Sequence, residues 1–377
     1  MTPAFTVQGW CPGALRPMES GDGLVVRVRP TGGRLTAAQA AGLAKAAARH
    51  GNGLIDLSAR GNVQLRGVTR DSHPALIDDL RALGLIDPDI LSEARRNILV
   101  TPFADAETDA LAAALAQALV DAPPLPGKFG FVIDTGPAPI LTATAGDIRL
   151  ERGQDGGLIL RPDGLPYGSP VTVETAATKA IALARWFTET GGVTDGRGRM
   201  AAHVARGHRP AAPLSAQPAP AQTPPGPGLV PQGALVALEF GQMTAATLTA
   251  LASLGDLRIT PWRMVLIEGA TSLPTLPGLI LSPDDPLRRV EACTGAPGCL
   301  QANAEIRPLA RRLAASVPPG RTLHLSGCAK GCAHPGPADL TLVATPSGFD
   351  LIASGTAQDA PRARALDAAS IDLKGLF

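Results

Sequence analysis

Apolar and polar positions change period several times along the chain, and the changes run in the same order twice. GLVVRVRP (23–30) reads as a strand. LTAAQAAGLAKAAARHG (35–51) predicts a helix with Thr36 as N-cap, Gln39 as its capping-box partner and Gly51 as its stop. LIDLSARGNVQLRGV (54–68) predicts two strands around a bend. Further on, ALVALEFGQ (234–242) reads as a strand, MTAATLTALASLG (243–255) as a helix, and LRITPWRMVLIEG (257–269) as two strands around TPWR. Both runs are β-α-β-β, and SARGNVQLRG stands against TPWRMVLIEG.

The distal parts match as well. PGKFGFVIDTG (126–136) parallels PGRTLHLSGC (319–328). A hairpin follows each: 146–160, turning at Asp155-Gly156, and 338–352, turning at Ser347-Gly348. Four matched elements in one order predict a duplication. The halves are expected to pack about a pseudo-twofold axis, with a shared cleft as the ligand site. Between them, RPAAPLSAQPAPAQTPPGPGLVPQ (209–232) has no apolar period and reads as a linker with polyproline character.

Composition narrows the classes. Apolar residues make up 45% of 377, enough for real cores, while 42 glycines and 36 prolines imply many turns. A net charge of +1 and 3% aromatic content argue against a nucleic-acid partner, so any anionic ligand must meet a local group of arginines. No stretch reaches the length of a membrane span, and MTPAFTVQGWCPGALRP has no apolar h-region; the expectation is a soluble, cytoplasmic chain. Five cysteines are an odd count at low density, unlike a disulfide scaffold, so the thiols are expected to be reduced.

Four of the five lie in CTGAPGC (293–299) and CAKGC (328–332). Four thiolates suit zinc or an iron–sulfur cluster, and zinc favours tighter C-x2–4-C knuckles than these. CTGAPGC is expected to feed a helix in LQANAEIRPLARRLAASV (300–317) and so to turn backbone N–H groups and a positive helix end toward the sulfurs. LSGCAKGCAHPG leaves a strand for an open loop in which Gly331 and Gly336 allow close backbone approach. A zinc site or unrelated loop cysteines are the alternatives.

C-x5-C followed by C-x3-C resembles the signature of the sulfite and nitrite reductase superfamily, whose members join a [4Fe-4S] cluster to sirohaem. The resemblance covers most of the chain. It implies that Cys293, Cys299, Cys328 and Cys332 hold the cluster, with Cys332 in the place that bridges to sirohaem iron. It implies an α/β (α+β) fold of two pseudo-twofold-related halves. Each half joins a ferredoxin-like β-α-β-β unit (1–80 and 233–285) to a sulfite/nitrite-reductase-type α/β unit (81–208, carrying a cationic rim, and 286–377, carrying the cluster). LSARGNVQLRG looks like the first arginine motif, giving Arg60, Gln64 and Arg66; EARRNILVTP looks like the second, giving Arg96 and Asn97. LPGKFGF looks like the lysine motif, keeping Lys128 but placing Gly130 where a second lysine is usual. A missing cation is a serious loss for an enzyme that reduces a charged anion.

GWCPGALRPMESGDGLVVRVRP resembles one branch of the superfamily, the precorrin-3B synthases of aerobic cobalamin synthesis. That likeness implies O2-dependent hydroxylation of precorrin-3A at C20 with γ-lactone formation. It also implies a [4Fe-4S] cluster, an additional non-haem iron, and an external NAD(P)H-linked donor or reductase, with sirohaem less favoured. A polycarboxylate tetrapyrrole needs arginines around its rim. Arg16, Arg27, Arg29, Arg60, Arg66, Arg96 and Lys128 are expected to supply them from the half without the cluster, Arg27 and Arg29 being the ones that read as solvated strand charges. Cys11 reads as a free, partly buried thiol, His203 and His208 as surface residues, His334 as a group able to tune the cysteine loop, and His324 as structural. No G-x-G-x-x-G run follows a strand, so no built-in dinucleotide domain is expected. No catalytic residue is named. The rivals are a sirohaem-dependent nitrite or sulfite reductase and a non-enzymatic iron–sulfur or zinc protein.

Overall fold

The computed structural model describes residues 12–377, so Cys11 lies outside the described residues. The first ferredoxin-like unit runs β1 (Met18–Ser20), β2 (Gly23–Val28), β3 (Arg34–Leu35), α1 (Ala37–His50), β4 (Leu54–Leu57), β5 (Val63–Val68) and α2 (His73–Ala82). α1 forms as its local code dictates: Thr36 accepts from the Gln39 N–H while the Gln39 side chain accepts from the Thr36 N–H. Its buried face is Ala40, Leu43, Ala44, Ala46, Ala47 and His50, a helical spacing.

The first α/β unit follows as α3 (Ile90–Arg95), β6 (Ile98–Val100), α4 (Ala106–Ala118), β7 (Phe131–Asp134), β8 (Ile148–Arg152), β9 (Leu158–Pro162), β10 (Ser169–Pro170), α5 (Val173–Glu189) and α6 (Met200–Ala205). Then come β11 (Gly228–Val230), β12 (Gly233–Leu238), β13 (Gln242–Thr244), α7 (Ala245–Ala252), β14 (Leu257–Ile259), β15 (Met264–Glu268) and β16 (Leu279–Ile280). The second α/β unit is β17 (Val290–Ala292), α8 (Arg307–Ala314), β18 (Leu323–Ser326), β19 (Ala338–Thr345), β20 (Gly348–Gly355) and β21 (Ala363–Leu366).

Sheet topology carries the duplication. The two ferredoxin-like sheets have orders β1-β2-β5-β4-β13 and β11-β12-β15-β14-β3. Each unit therefore lends one short strand to the other: β3 pairs with β14, and β13 pairs with β4. α1 packs on α7, and both units share a single core. The α/β sheets read β10-β9-β8-β7-β6 and β17-β18-β19-β20-β21. In each, three parallel strands are followed by an antiparallel hairpin. Each also has its own core.

Residues 209–232 connect the halves, but they are fastened along the way. Gly168 and Ala216 exchange backbone hydrogen bonds of 2.8 and 3.0 Å, the Ala219 N–H donates to the Arg152 carbonyl at 2.8 Å, and the Gln222 N–H to Pro139 at 2.9 Å. Gly228–Val230 is β11, a strand of the second half placed as β1 is in the first.

Candidate functional site

Both cysteine loops leave the C-terminal ends of adjacent parallel strands. Cys293 follows β17 directly, its N–H donating to the Leu325 carbonyl at 3.3 Å, and Cys328 stands two residues past the end of β18. The Gly327 N–H donates to Cys293 Sγ at 3.1 Å, and a side chain at Gly327 would put its Cβ 2.7 Å from Ala302 Cβ. The helix expected over 300–317 starts later, at Arg307, because Pro308 lacks an N–H and belongs in a first turn. The loop still meets that helix by doubling back: the Ala296 N–H donates to the Ala304 carbonyl at 2.9 Å, and Gly295, at φ 70°, lies against Ile306.

The thiols sense one another. Burial pushes the Cys293 thiol up, opposed by the N–H groups of Gly327 and Gly295 and reinforced by Cys299 and Cys328. Cys332, the exposed one, is also pushed up, by desolvation first, then by Cys328, Cys293 and Cys299 against the pull of Lys330. All four are free thiols. Among the described residues, no three His, Cys, Asp or Glu side chains are drawn together tightly enough to hold a single metal ion. Four soft donors on two glycine-rich loops, with the Cys293 sulfur met by backbone N–H groups, fit a cluster whose iron sites each take one thiolate.

Both ferredoxin-like units grip these loops. From the first, Ser20 Oγ and Arg66 Nη2 donate to the Gly298 carbonyl at 2.6 and 2.7 Å, and Gly21 lies against Pro297. From the second, Arg263 Nη2 donates to the Ala333 carbonyl at 2.9 Å while its Nη1 pairs with Glu291. A cavity of about 350 Å³ opens beside this second clamp, bordered by Ala59, Phe240, Trp262, Arg263, Glu291 and Ala333.

The cationic set divides in two. Arg60 and Lys128 come together at the strand-start edge of the first α/β unit, where Arg60 Nη2 donates to the Lys128 carbonyl at 3.1 Å. Asn97 holds the same edge, its side-chain amide donating to the carbonyls of Ala94, Gly127 and Phe129. Gly130 is tied down there: its N–H donates to Asp147 Oδ2 at 2.9 Å, and an added Cβ would stand 3.3 Å from the Asn97 carbonyl. Arg66 and Arg96, also expected on the cationic rim, are each paired with carboxylates of this chain. Arg66, 5% exposed, bonds Asp22 at 2.6 and 2.8 Å and Asp56 at 3.2 Å. Burial works against its charge, but Asp22 and Asp56 outweigh that and hold the guanidinium above its ordinary value. Arg96 makes a two-pronged pair with Asp87 at 2.6 and 2.8 Å.

Arg27 is half-buried and donates to Gln64 Oε1 at 2.7 and 3.1 Å; Arg29 is buried beside Glu93, so it is no solvated strand charge. Across β2, β5, β4 and β13 the register aligns Arg27, Gln64, Asp56 and Gln242 in one polar row. His203 is buried rather than superficial, stacked on the exposed His208 at 4.0 Å and bonded to Thr190 at 2.8 Å; burial pushes its pKa down. His334 bonds the Pro337 carbonyl at 3.1 Å.

Asp22, Asp56, Gln242, Arg263 and Arg307 escaped the sequence reading. Asp56 is the polar residue of the otherwise apolar LIDL, but nothing local signals the other four.

Residues 16–83 match the nitrite/sulfite reductase ferredoxin-like half-domain family. The fold is similar to the structure of Mycobacterium tuberculosis NirA protein, with a TM-score of 0.62 and 19% identity over 87% of this chain and 74% of that one. Fold and half-domain together define a protein of the nitrite/sulfite reductase architecture. A precorrin-3B synthase from Sinorhizobium sp is 34% identical over 408 aligned positions, spanning 96% of this chain and 86% of that protein. The chain belongs to the precorrin-3B synthase family, enzymes of cobalamin biosynthesis. No helix among the described residues is long and apolar enough to cross a membrane.

Proposed function

We propose that the chain is a monooxygenase that hydroxylates precorrin-3A at C20 and closes the ring-A acetate into a γ-lactone. One atom of O2 enters the product as the C20 oxygen, and the acetate carboxyl adds to the adjoining ring carbon with its proton passing to that oxygen, so closure releases no water. The other O2 atom becomes water, with two electrons and two protons from an external NAD(P)H-linked donor. The near-full-length likeness to a precorrin-3B synthase supports this reading, and Gly130 is the observation that separates it from anion reduction. Where a second lysine would stand, the backbone is clamped by Asp147 and crowded by Asn97, and the Arg60 guanidinium lies 3.8 Å from an added Cβ.

The cluster of Cys293, Cys299, Cys328 and Cys332 supplies one-electron transfer when bound. An additional non-haem iron belongs to this reading without named ligands, and sirohaem is the less favoured partner. Arg60 and Lys128 hold carboxylates of the macrocycle, and Asn97 and Asp147 fix the edge that carries them. Arg27 and Gln64 offer hydrogen bonds from the polar row. Arg66 holds the cluster loop against the substrate-binding half, and Arg96 anchors the segment before β6. The protein works in the cytoplasm.

The test is anaerobic purification of the wild type, Arg60→Ala and Lys128→Ala. The wild type should show broad iron–sulfur absorption without a strong Soret band. Each variant should keep its iron and sulfide while binding precorrin-3A about 10-fold more weakly, the loss of one charge-assisted hydrogen bond. A Soret band with one haem iron would favour the reductase, and zinc without iron would end the enzyme reading.

A further inference from the structure

Helices ordinarily carry acids in the first turn and bases in the last, because the N-terminal end is positive. α4, between β6 and β7, obeys: Asp105 caps it and Glu107 and Asp109 follow. α8 occupies the same place between β17 and β18, and its first residue is Arg307, with Arg311 and Arg312 correctly placed in the last turn.

Arg307 is also poorly matched. Its Nε is sealed from solvent without an acceptor among the described residues. The nearest carboxylate oxygen, on Asp56, stands 3.8 Å from Nη2. Asp56 is already taken by Arg66 at 3.2 Å and Gln242 at 2.7 Å. The other neighbour is the Phe240 ring, 5.9 Å from the guanidinium carbon. Ile306, next to Arg307 in sequence, packs against Gly295 of the Cys293 loop, so the start of α8 adjoins the thiols; burial pushes the Arg307 pKa down, with Arg66 and Arg263 adding to that, while Asp56 and Cys293 oppose it. A mostly buried cation, its side chain 14% exposed, set against a helix dipole and short of partners is costly unless an anion faces it. Breaks of a local rule concentrate at functional sites.

We propose that Arg307 is the counter-charge of the group held by Cys293 and its three partner cysteines, and that it raises the reduction potential of that group. Four thiolates give the site negative charge, and each electron added makes it more negative. A fixed buried cation favours the reduced form over the oxidised one. This makes Arg307 a positioning residue for charge, one that matches the cluster to its donor. The proposal rests on the cluster reading above.

The test compares wild type, Arg307→Gln and Arg307→Lys, purified anaerobically, by iron and sulfide content and by EPR-monitored redox titration. The expected result is full cluster content in all three, a midpoint shifted to more negative potential in Arg307→Gln, and a smaller shift or none in Arg307→Lys. A loaded Arg307→Gln protein with the wild-type midpoint overturns the proposal. So does equal loss of cluster from both variants, which would mark Arg307 as a packing residue. A wild-type protein without iron or sulfide overturns the cluster reading itself, and this proposal with it.

Discussion

The two α/β units share strand order and register, so their residues can be matched one to one. Thr101 stands where Cys293 stands, each just past its strand and each donating its N–H to the neighbouring strand, to Ile133 at 2.8 Å and to Leu325 at 3.3 Å. The cross-strand row Leu99, Val132, Arg149 becomes Glu291, His324, Thr341. At the end of β7, buried Asp134 accepts from the N–H groups of Ile140 and Leu141 at 2.7 Å and folds its loop onto the strand. At the end of β18, Ser326 instead bonds the Cys328 carbonyl at 2.7 Å, and the loop carries thiols. The ferredoxin-like turns repeat the pattern. Ser58 and Thr260 hold corresponding turns through their hydroxyls, but Arg60 is replaced by Trp262, and Gly61, facing Leu99, by Arg263, paired with Glu291. A copied backbone frame thus acquired its chemistry through a few side chains at strand ends and turn tips.

The two units differ most at the cysteine position itself. Cys293→Ser or Cys328→Ser should abolish iron and sulfide content on anaerobic purification, while Thr101→Ser leaves both unchanged. A cluster retained in either cysteine variant would remove that residue from the ligand set.

On the first half, Asp147 is the corresponding linchpin of the basic edge. Its carboxylate accepts from the N–H groups of Gly130 at 2.9 Å and Met200 at 2.8 Å and from Arg199 at 2.9 Å, and burial pushes its pKa up. Asp147→Ala should lower the unfolding free energy by about 3–4 kcal/mol, because it strands these donors. Urea titration would show it as a lower midpoint; an unchanged midpoint would contradict the anchoring role.

His324 sharpens the contrast through pH. It is fully buried, neither ring nitrogen has a partner among the described residues, and burial pushes its pKa down to about 4, with His334 and Arg263 adding to the effect. The unfolded chain therefore binds the proton first. The stability is present above the ordinary value near 6.5 and is lost as pH falls toward about 4. His324→Val, which installs the residue of the first half, should remove up to about 3 kcal/mol of that pH dependence. Equally steep acid unfolding in the variant would assign the sensitivity elsewhere.

The smallest difference lies in the helix caps. Thr36 sits in a complete capping box, whereas Thr244 accepts from the Thr247 backbone N–H and shares a hydroxyl bond with Thr247, with no side chain among the described residues reaching back to its own N–H. Thr36→Ala should cost about 1 kcal/mol and Thr244→Ala somewhat less by thermal unfolding.

What was legible in the sequence was local or repeated. The Thr36 box, the hairpin turns at Asp155-Gly156 and Ser347-Gly348 and the β-α-β-β order all sit within a few residues of their signals. The exchange of β3 and β13 was not, because strands of two or three residues carry no period. The helix expected over 300–317 is confined to Arg307–Ala314, with Pro308 in its first turn. The arginine motifs located Arg60, Arg66 and Arg96, but whether a guanidinium faces a ligand or a carboxylate depends on residues far along the chain or across a turn, Asp22 for Arg66 and Asp87 for Arg96. Arg307 escaped for the same reason, since Asp56 and Phe240 meet it only in the folded protein.

The cluster-loaded protein is given precorrin-3A, a reductant and isotopically labelled O2, and the product is weighed by mass spectrometry. The expected product is heavier than the substrate by one labelled oxygen atom, and it disappears in Cys328→Ser. Unchanged precorrin-3A in the presence of an intact cluster and reductant would contradict the assignment.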